Sequence, residues 1–354
     1  MKESSTAAES TLLRRKRNKR RRNVRLVVLF VLMVGTPIGS ILLGSANVSA
    51  NDIIGVTLKN LGFGVDVTWT HAIEAIVWQT RVPRIIAGMA VGAILGVSGV
   101  VLQALIRNPL AEPYVLGVSS GASTGAAISI ILVGATNYML TGSMAFLGAL
   151  TATLLVMLIA GRGSTPLQLI LAGLAAGFGF QAITNLLIFS SGSPETSQSV
   201  MFWMLGSLAR AKWPELPLLV IVAVVFTAAM FFSGPILDAL ASGDRTAESV
   251  GVNAVKMRVL MLILVSAAVA VAVAAAGGIG FVGLIIPHVI RSFIGYSHRY
   301  LVLGSALASA LFLVWMDAIA RVAFAPAELP IGVMTGLIGA PCLVVLIRRQ
   351  KRQS

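Results

Sequence analysis

The feature that most constrains this chain is a succession of ten apolar runs, each near the length of a bilayer-crossing helix and each almost free of charge. They fall at about 26–45, 85–106, 115–134, 143–160, 167–189, 216–236, 259–276, 281–296, 301–320 and 330–347. Hydrocarbon offers no water to backbone N–H and C=O groups, so a spanning segment must satisfy them internally, and about 20 residues of α-helix do so. The expected fold is an all-α polytopic membrane protein, a tightly packed bundle of ten transmembrane helices. Composition agrees: 11% of the 354 residues are charged, against about 25% in a soluble domain. Turn signals separate the runs at Arg107-Asn108-Pro109, at Gly161 to Pro166 and at Gly277-Gly278. The last divides a stretch from 259 to 290 that is too long for one span, and Pro287 is expected to leave the second half short or irregular.

The formal charge of +14 would suggest nucleic acid if it were spread over a folded face. It is not spread. Residues 1–25 hold ten Lys/Arg and two Glu, and the end of the chain adds Arg348, Arg349, Lys351 and Arg352. Both clusters abut apolar runs, which places both termini in the cytoplasm by the positive-inside rule and gives no reason to invoke nucleic acid. They also suit anionic membrane lipid. The domain reading is a basic tail at 1–25, one transmembrane domain at 26–348 and a basic tail at 349–354. Loops near 107–114, 161–166, 234–258 and 297–300 then fall inside, and those near 46–80, 134–142, 190–213 and 321–329 outside. The first run, with Val48-Ser49-Ala50 after it, reads either as a retained anchor or as a signal peptide with its cleavage site. Its length favours the anchor.

Glycines recur one helical turn apart, as in Gly88, Gly92 and Gly96 or Gly117, Gly121 and Gly125. Small residues at that spacing let helix backbones approach closely in lipid.

Catalytic signals are weak. Gly117-Val-Ser119-Ser-Gly121 matches the G-x-S-x-G pattern, but it opens an apolar helix where a strand–turn–helix is required. No Cys/His spacing suits a metal, and no G-x-x-x-x-G-K-[ST] phosphate loop occurs. The single cysteine, Cys342, excludes an intrachain disulfide. Asp317 and Arg321 stand four residues apart on one helix face, the spacing of a local ion pair or of a proton-relay element.

Three ordered blocks resemble the FecCD-type permeases, membrane subunits of binding-protein-dependent ABC importers of the type II fold, whose cargoes are ferric siderophores, haem and cobalamin. The first block runs from Arg81-Val-Pro-Arg84 through Gly99-Val-Val-Leu-Gln103 and Asn108-Pro109-Leu-Ala-Glu112-Pro113 to Leu116-Gly117. The second is Gly278-Ile-Gly-Phe-Val-Gly283 with Pro287-His288-Val-Ile-Arg291. The third is Glu328-Leu-Pro330-Ile-Gly332 with Gly336, Gly339 and Pro341. The likeness covers about residues 80–348.

The resemblance implies a non-enzymatic permease of the cytoplasmic (inner) membrane. It would pair with a second permease subunit, two cytoplasmic ATPases that bind the ATP and Mg, and an extracytoplasmic binding protein; no cofactor is expected on this chain. The polar stretch 237–258 would be the coupling loop that docks on the ATPase. On physical grounds Asp244 is expected to cap a short helix that runs through Glu248 and ends at Gly251, with Asn253 capping the next helix; Arg245 lies on the same short element. Arg81, Arg84 and Arg321 are expected to face carboxylates of the binding protein, the alternative being interfacial snorkelling. The fifth span, with Gln181 and Asn185, and the tenth are candidates for the translocation path, and Ser164 and Thr165 for its inner gate. The leading cargo is a ferric siderophore. Haem or cobalamin uptake by the same machinery, a secondary carrier, and a membrane-embedded hydrolase acting through Ser119 are the rivals.

Overall fold

The computed structural model describes residues 2–44, 46, 48–134, 137–161 and 165–351, with side chains from residue 20 onward except at 138, 346, 347 and 349–351. Among them every regular element is helical. In chain order these are α1 (Lys2–Leu42), α2 (Ala50–Asn60), α3 (His71–Ile106), α4 (Val118–Leu132), α5 (Tyr138–Ala160), α6 (Pro166–Ser190), α7 (Pro194–Met204), α8 (Leu216–Phe232), α9 (Gly234–Ala241), α10 (Asp244–Ser249), α11 (Ala254–Ala276), α12 (Val282–Ile294), α13 (His298–Val322) and α14 (Ile331–Lys351). Seven stretches are long and apolar enough to cross a membrane, in α1, α3, α5, α6, α8, α11 and α13; α4, α12 and part of α14 are shorter apolar helices. Together they overlie the ten runs.

The centre of the bundle is α3, buried along most of its length. Its glycines explain how neighbours come so close. A Cβ built on Gly92 would lie 2.4 Å from the Ser309 carbonyl oxygen on α13, and one on Gly99 would lie 1.8 Å from that of Gly283 on α12. Gly121 and Gly148 bring α4 and α5 together in the same way. The periphery is inverted relative to a soluble protein: Leu158, Phe189 and Phe232 stand exposed on α5, α6 and α8. Such a continuous apolar surface is at home in lipid or against another subunit.

Two departures from the sequence reading have clear causes. The second span begins at His71 rather than near 85, passing through a π-helical stretch at Ala75–Arg81. The charges that argued for a loop are neutralised: Glu74 bonds Lys59 of α2 at 2.9 Å, and Arg81 gives its protons to main-chain carbonyls. The outer segment 46–70 is also structured, with α2 held by Trp69 packed flat on Gly55.

Between α11 and α12 the chain leaves helical geometry over 277–281, and Phe281 adopts φ +69°. Buried N–H groups there need acceptors. The Tyr114 hydroxyl accepts from Ile279 N–H at 2.6 Å, and a Glu112 carboxylate oxygen accepts from Phe281 N–H at 3.3 Å. Pro287 does not break α12, which runs 13 residues around it.

Candidate functional site

The polar stretch that interrupts the apolar sequence folds as a knob at one end of the bundle. α8 stops at Phe232, and α9 and α10 follow before α11 begins. Leu237, Leu240 and Ala247 are buried underneath, while Arg245, Glu248 and Val250 are exposed. Gly251 ends α10 with φ +80°. Its N–H reaches the Glu248 carbonyl at 3.0 Å and the Val252 N–H reaches that of Ala247 at 2.9 Å, a Schellman arrangement. Asn253 caps α11, its Oδ1 accepting from Lys256 N–H at 3.0 Å.

Asp244 does something different from capping. Gly243 takes the N-cap position of α10, and the Asp244 carboxylate instead accepts from Arg258 of α11 at 2.7 Å and from Arg107 at the end of α3. Arg107 itself has φ +53°, which turns the chain sharply as α3 ends. Two arginines from two different helices outcompete the local N–H groups, because a charged donor makes the stronger bond. A third anchor joins α9 to α13. Asp238 Oδ1 accepts from the His298 main-chain N–H at 3.0 Å and pairs with His298 Nδ1 at 2.6 Å, supplying a carboxylate at the N-terminus of α13. Burial alone would raise the Asp238 carboxyl, but the bonds from the His298 ring and main chain outweigh it and hold it below its ordinary value. Thus α9 and α10 are fixed to α3, α11 and α13 by side chains.

At the opposite end the three arginines expected to face a partner point inward. Arg81, Arg84 and Arg321 are 4%, 3% and 3% exposed. Arg84 binds Asp317 at 2.8 Å and Glu328 at 2.7 Å. Arg321 lies 3.3 Å from Asp317 and also donates to the Ser40 carbonyl at 3.2 Å. Arg81 donates to the carbonyls of Ile41 and Ala46 at 2.7 and 2.6 Å. The expectation of surface arginines is corrected here. A buried guanidinium must be paired, and Asp317, Glu328 and main-chain carbonyls at and just after the end of α1 supply the partners. Interfacial snorkelling is corrected for the same reason. Of this cluster Glu328, on the loop before α14, is the most open member.

The path candidates are less connected. Gln181 donates to Asn185 Oδ1 at 3.0 Å along the outward face of α6, with Phe178 exposed one turn before. Thr165 caps α6 in a capping box: its Oγ1 accepts from Gln168 N–H at 3.3 Å, and Gln168 Oε1 accepts from Thr165 N–H at 2.8 Å. Ser164 lies outside the described residues. Ser119 sits in the first turn of α4, without the strand-to-helix elbow a hydrolase needs. Among the described residues no group of three or more His, Cys, Asp or Glu is placed to hold a metal ion.

A many-helix apolar bundle with close glycine contacts and a charged, multiply anchored knob has the build of a polytopic membrane protein. The chain belongs to the FecCD transport family, whose model matches residues 28–349. It is 34% identical over 341 residues to an ABC transporter permease protein of Methanocaldococcus jannaschii, covering 92% of this chain and 95% of that one. It is 38% identical over 280 residues to the vitamin B12 import system permease protein BtuC of Salmonella typhi, covering 79% and 85%. Among solved structures, a metal-chelate type ABC transporter in an inward-facing conformation superposes with a TM-score of 0.80 at 31% identity, covering 92% of this chain and 98% of that one. PsaBC from Streptococcus pneumoniae in complex with Fab, at 17% identity and a TM-score of 0.56, shares the fold. This chain is therefore an ABC importer permease of the FecCD and BtuC type, a multi-pass protein of the cytoplasmic membrane. Permeases of this type are not themselves enzymes; they work with ATPase and substrate-binding partners and as dimers.

Proposed function

We propose that this chain forms, with a second permease subunit, the translocation pathway for a ferric siderophore, driven by two ATPase subunits docked on the knob at 237–258. The observation that carries the coupling reading is the three-way anchoring of α9 and α10, which leaves Arg245, Glu248 and Val250 facing outward from a rigid base. Ten membrane crossings with both termini in the cytoplasm belong to the same reading. Arg22 stacking on Tyr300, beside the start of α13, supports it by putting the basic end of α1 at the knob end. The path would follow the outward face of α6 past Gln181 and Asn185 toward a gate near Thr165. With its arginines engaged internally, the opposite end would receive the binding protein chiefly through exposed groups such as Glu328.

A second reading, cobalamin as cargo, is favoured by the 38% identity to a vitamin B12 import permease. Both cargoes are metal chelates, the class named for the superposed transporter. The deciding experiment is uptake of labelled iron-siderophore, haem and cobalamin in cells lacking the chain and in the restored strain. Loss of iron-siderophore uptake alone supports the first reading. Loss of cobalamin uptake replaces it with the second. Uptake that persists without ATP would overturn both in favour of a secondary carrier.

A further inference from the structure

The connection after α3 runs from the knob into the interior. It begins at Arg107, whose guanidinium binds Asp244 of α10, and ends at Gly117, where α4 starts. Its own bonds order it. Asn108 Oδ1 accepts from Leu110 N–H at 2.9 Å, the Asn108 carbonyl accepts from Ala111 N–H at 3.1 Å, and Pro113–Leu116 forms a short 3-10 helix. Ala111 and Leu116 are buried. The break at 277–281 lies inside the bundle too. The far end of α12 adjoins His298, which Asp238 of the knob holds. From there α12 has 13 residues, about 20 Å at 1.5 Å per residue, which falls short of the ~30 Å hydrocarbon layer. Irregular backbone at that depth needs partners from the protein itself. The connection supplies them: the Tyr114 hydroxyl accepts from Ile279 N–H at 2.6 Å and Glu112 from Phe281 N–H at 3.3 Å.

The other side of this turn supports α14, the tenth apolar run. A Cβ built on Gly332 would lie 2.8 Å from the Gly278 carbonyl oxygen, and one on Gly339 would lie 2.5 Å from the Phe281 side chain. With no side chain on α14 at these two contacts to absorb a displacement, α14 and the turn move together. We propose that residues 107–117 form a strap that carries movement of the knob to α14, with Glu112 and Tyr114 as the positioning residues that grip the turn. The inference rests on the reading of 237–258 as the ATPase dock. Energetic coupling between distant sites travels through packed and hydrogen-bonded elements of this kind, and the series knob, strap, turn and α14 is continuous.

The test uses the full importer, reconstituted with its ATPase and binding protein. Cys342 is replaced by Ser, and an environment-sensitive fluorophore is placed on Leu337→Cys, an exposed position of α14. Emission with and without ATP is read beside the rate of ATP hydrolysis. ATP is expected to shift the emission in this background and in Glu112→Gln, which keeps an acceptor oxygen. Glu112→Ala and Tyr114→Phe should lose the shift while still hydrolysing ATP. Because Tyr114→Phe strands a buried N–H and can lower stability, Glu112→Ala against Glu112→Gln decides the matter if it misfolds. A shift that persists in Glu112→Ala and Tyr114→Phe overturns the strap and leaves the dock standing. Joint loss of shift, hydrolysis and thermal midpoint marks a purely structural role and overturns it as well. Native ATPase binding after Arg245→Glu with Glu248→Arg would place the failure in the dock, and the strap falls with it.

Discussion

Single side chains settle most of the electrostatics. Asp317 lies between Arg84 and Arg321 with almost no exposure. Removing its charge leaves Arg321 buried without a carboxylate and Arg84 with Glu328 alone, and breaking a buried pair usually costs about 3–5 kcal/mol. Asp317→Asn is expected to lower the thermal midpoint of the purified protein sharply. Glu328→Gln, on a partly open side chain, should cost no more than about 1 kcal/mol; equal losses in a melting assay would contradict this division. Asp238 makes a pH-dependent contribution. A carboxyl held low in the folded state stabilises above its unfolded value and loses that contribution as pH falls through its folded value. The melting temperatures of the native chain and Asp238→Asn should therefore differ at about pH 6 and converge toward about pH 3. A constant gap would show that the His298 bonds do not depend on that charge. The Asp317–Arg321 pair was legible from its four-residue spacing. The partners of Arg84 and Asp244 were not: Asp317 is 233 positions from Arg84, and Arg107 is 137 from Asp244. No local pattern marks such a pairing.

Individual elements were easier to read than their connections. Apolar length marked the stretches that became helices, and Asn253 and Gly251 marked the ends of short ones, because caps and left-handed C-termini are decided by neighbours in sequence. The early start of α3 was hidden because its charges are cancelled by α1 and α2, which the sequence does not place beside it. At this scale Gly251→Pro is the informative change. Proline fixes φ near −65° and has no N–H, whereas Gly251 sits at φ +80° and donates to Glu248. The bundle should still fold, since the residue is exposed and a Cβ there meets nothing within 4 Å. Reconstituted with its ATPase and binding protein, the variant is expected to hydrolyse ATP with little transport. Transport at the native ratio of cargo to ATP would remove the knob from the coupling mechanism.

For the whole molecule, the outward apolar faces of α5 and α6 look alike by composition but are given different surroundings by the proposed path. With Cys342 replaced by Ser, Gln181→Cys and Asn185→Cys should react with a membrane-impermeant maleimide in the assembled importer, and Leu158→Cys on α5 should not. Equal protection of all three would place α6 against lipid or a dry interface. The bonds at the end of α1 bear on how the chain matures. Arg81 and Arg321 rest on the carbonyls of Ile41 and Ser40, and Arg81 also on that of Ala46. Proteolytic removal of everything before Ala50 would strip Arg81 of both carbonyl acceptors and leave Arg321 with Asp317 alone. The first helix thus behaves as a stopper seated in the bundle, and a peptidase that cut it away would release an unstable remainder.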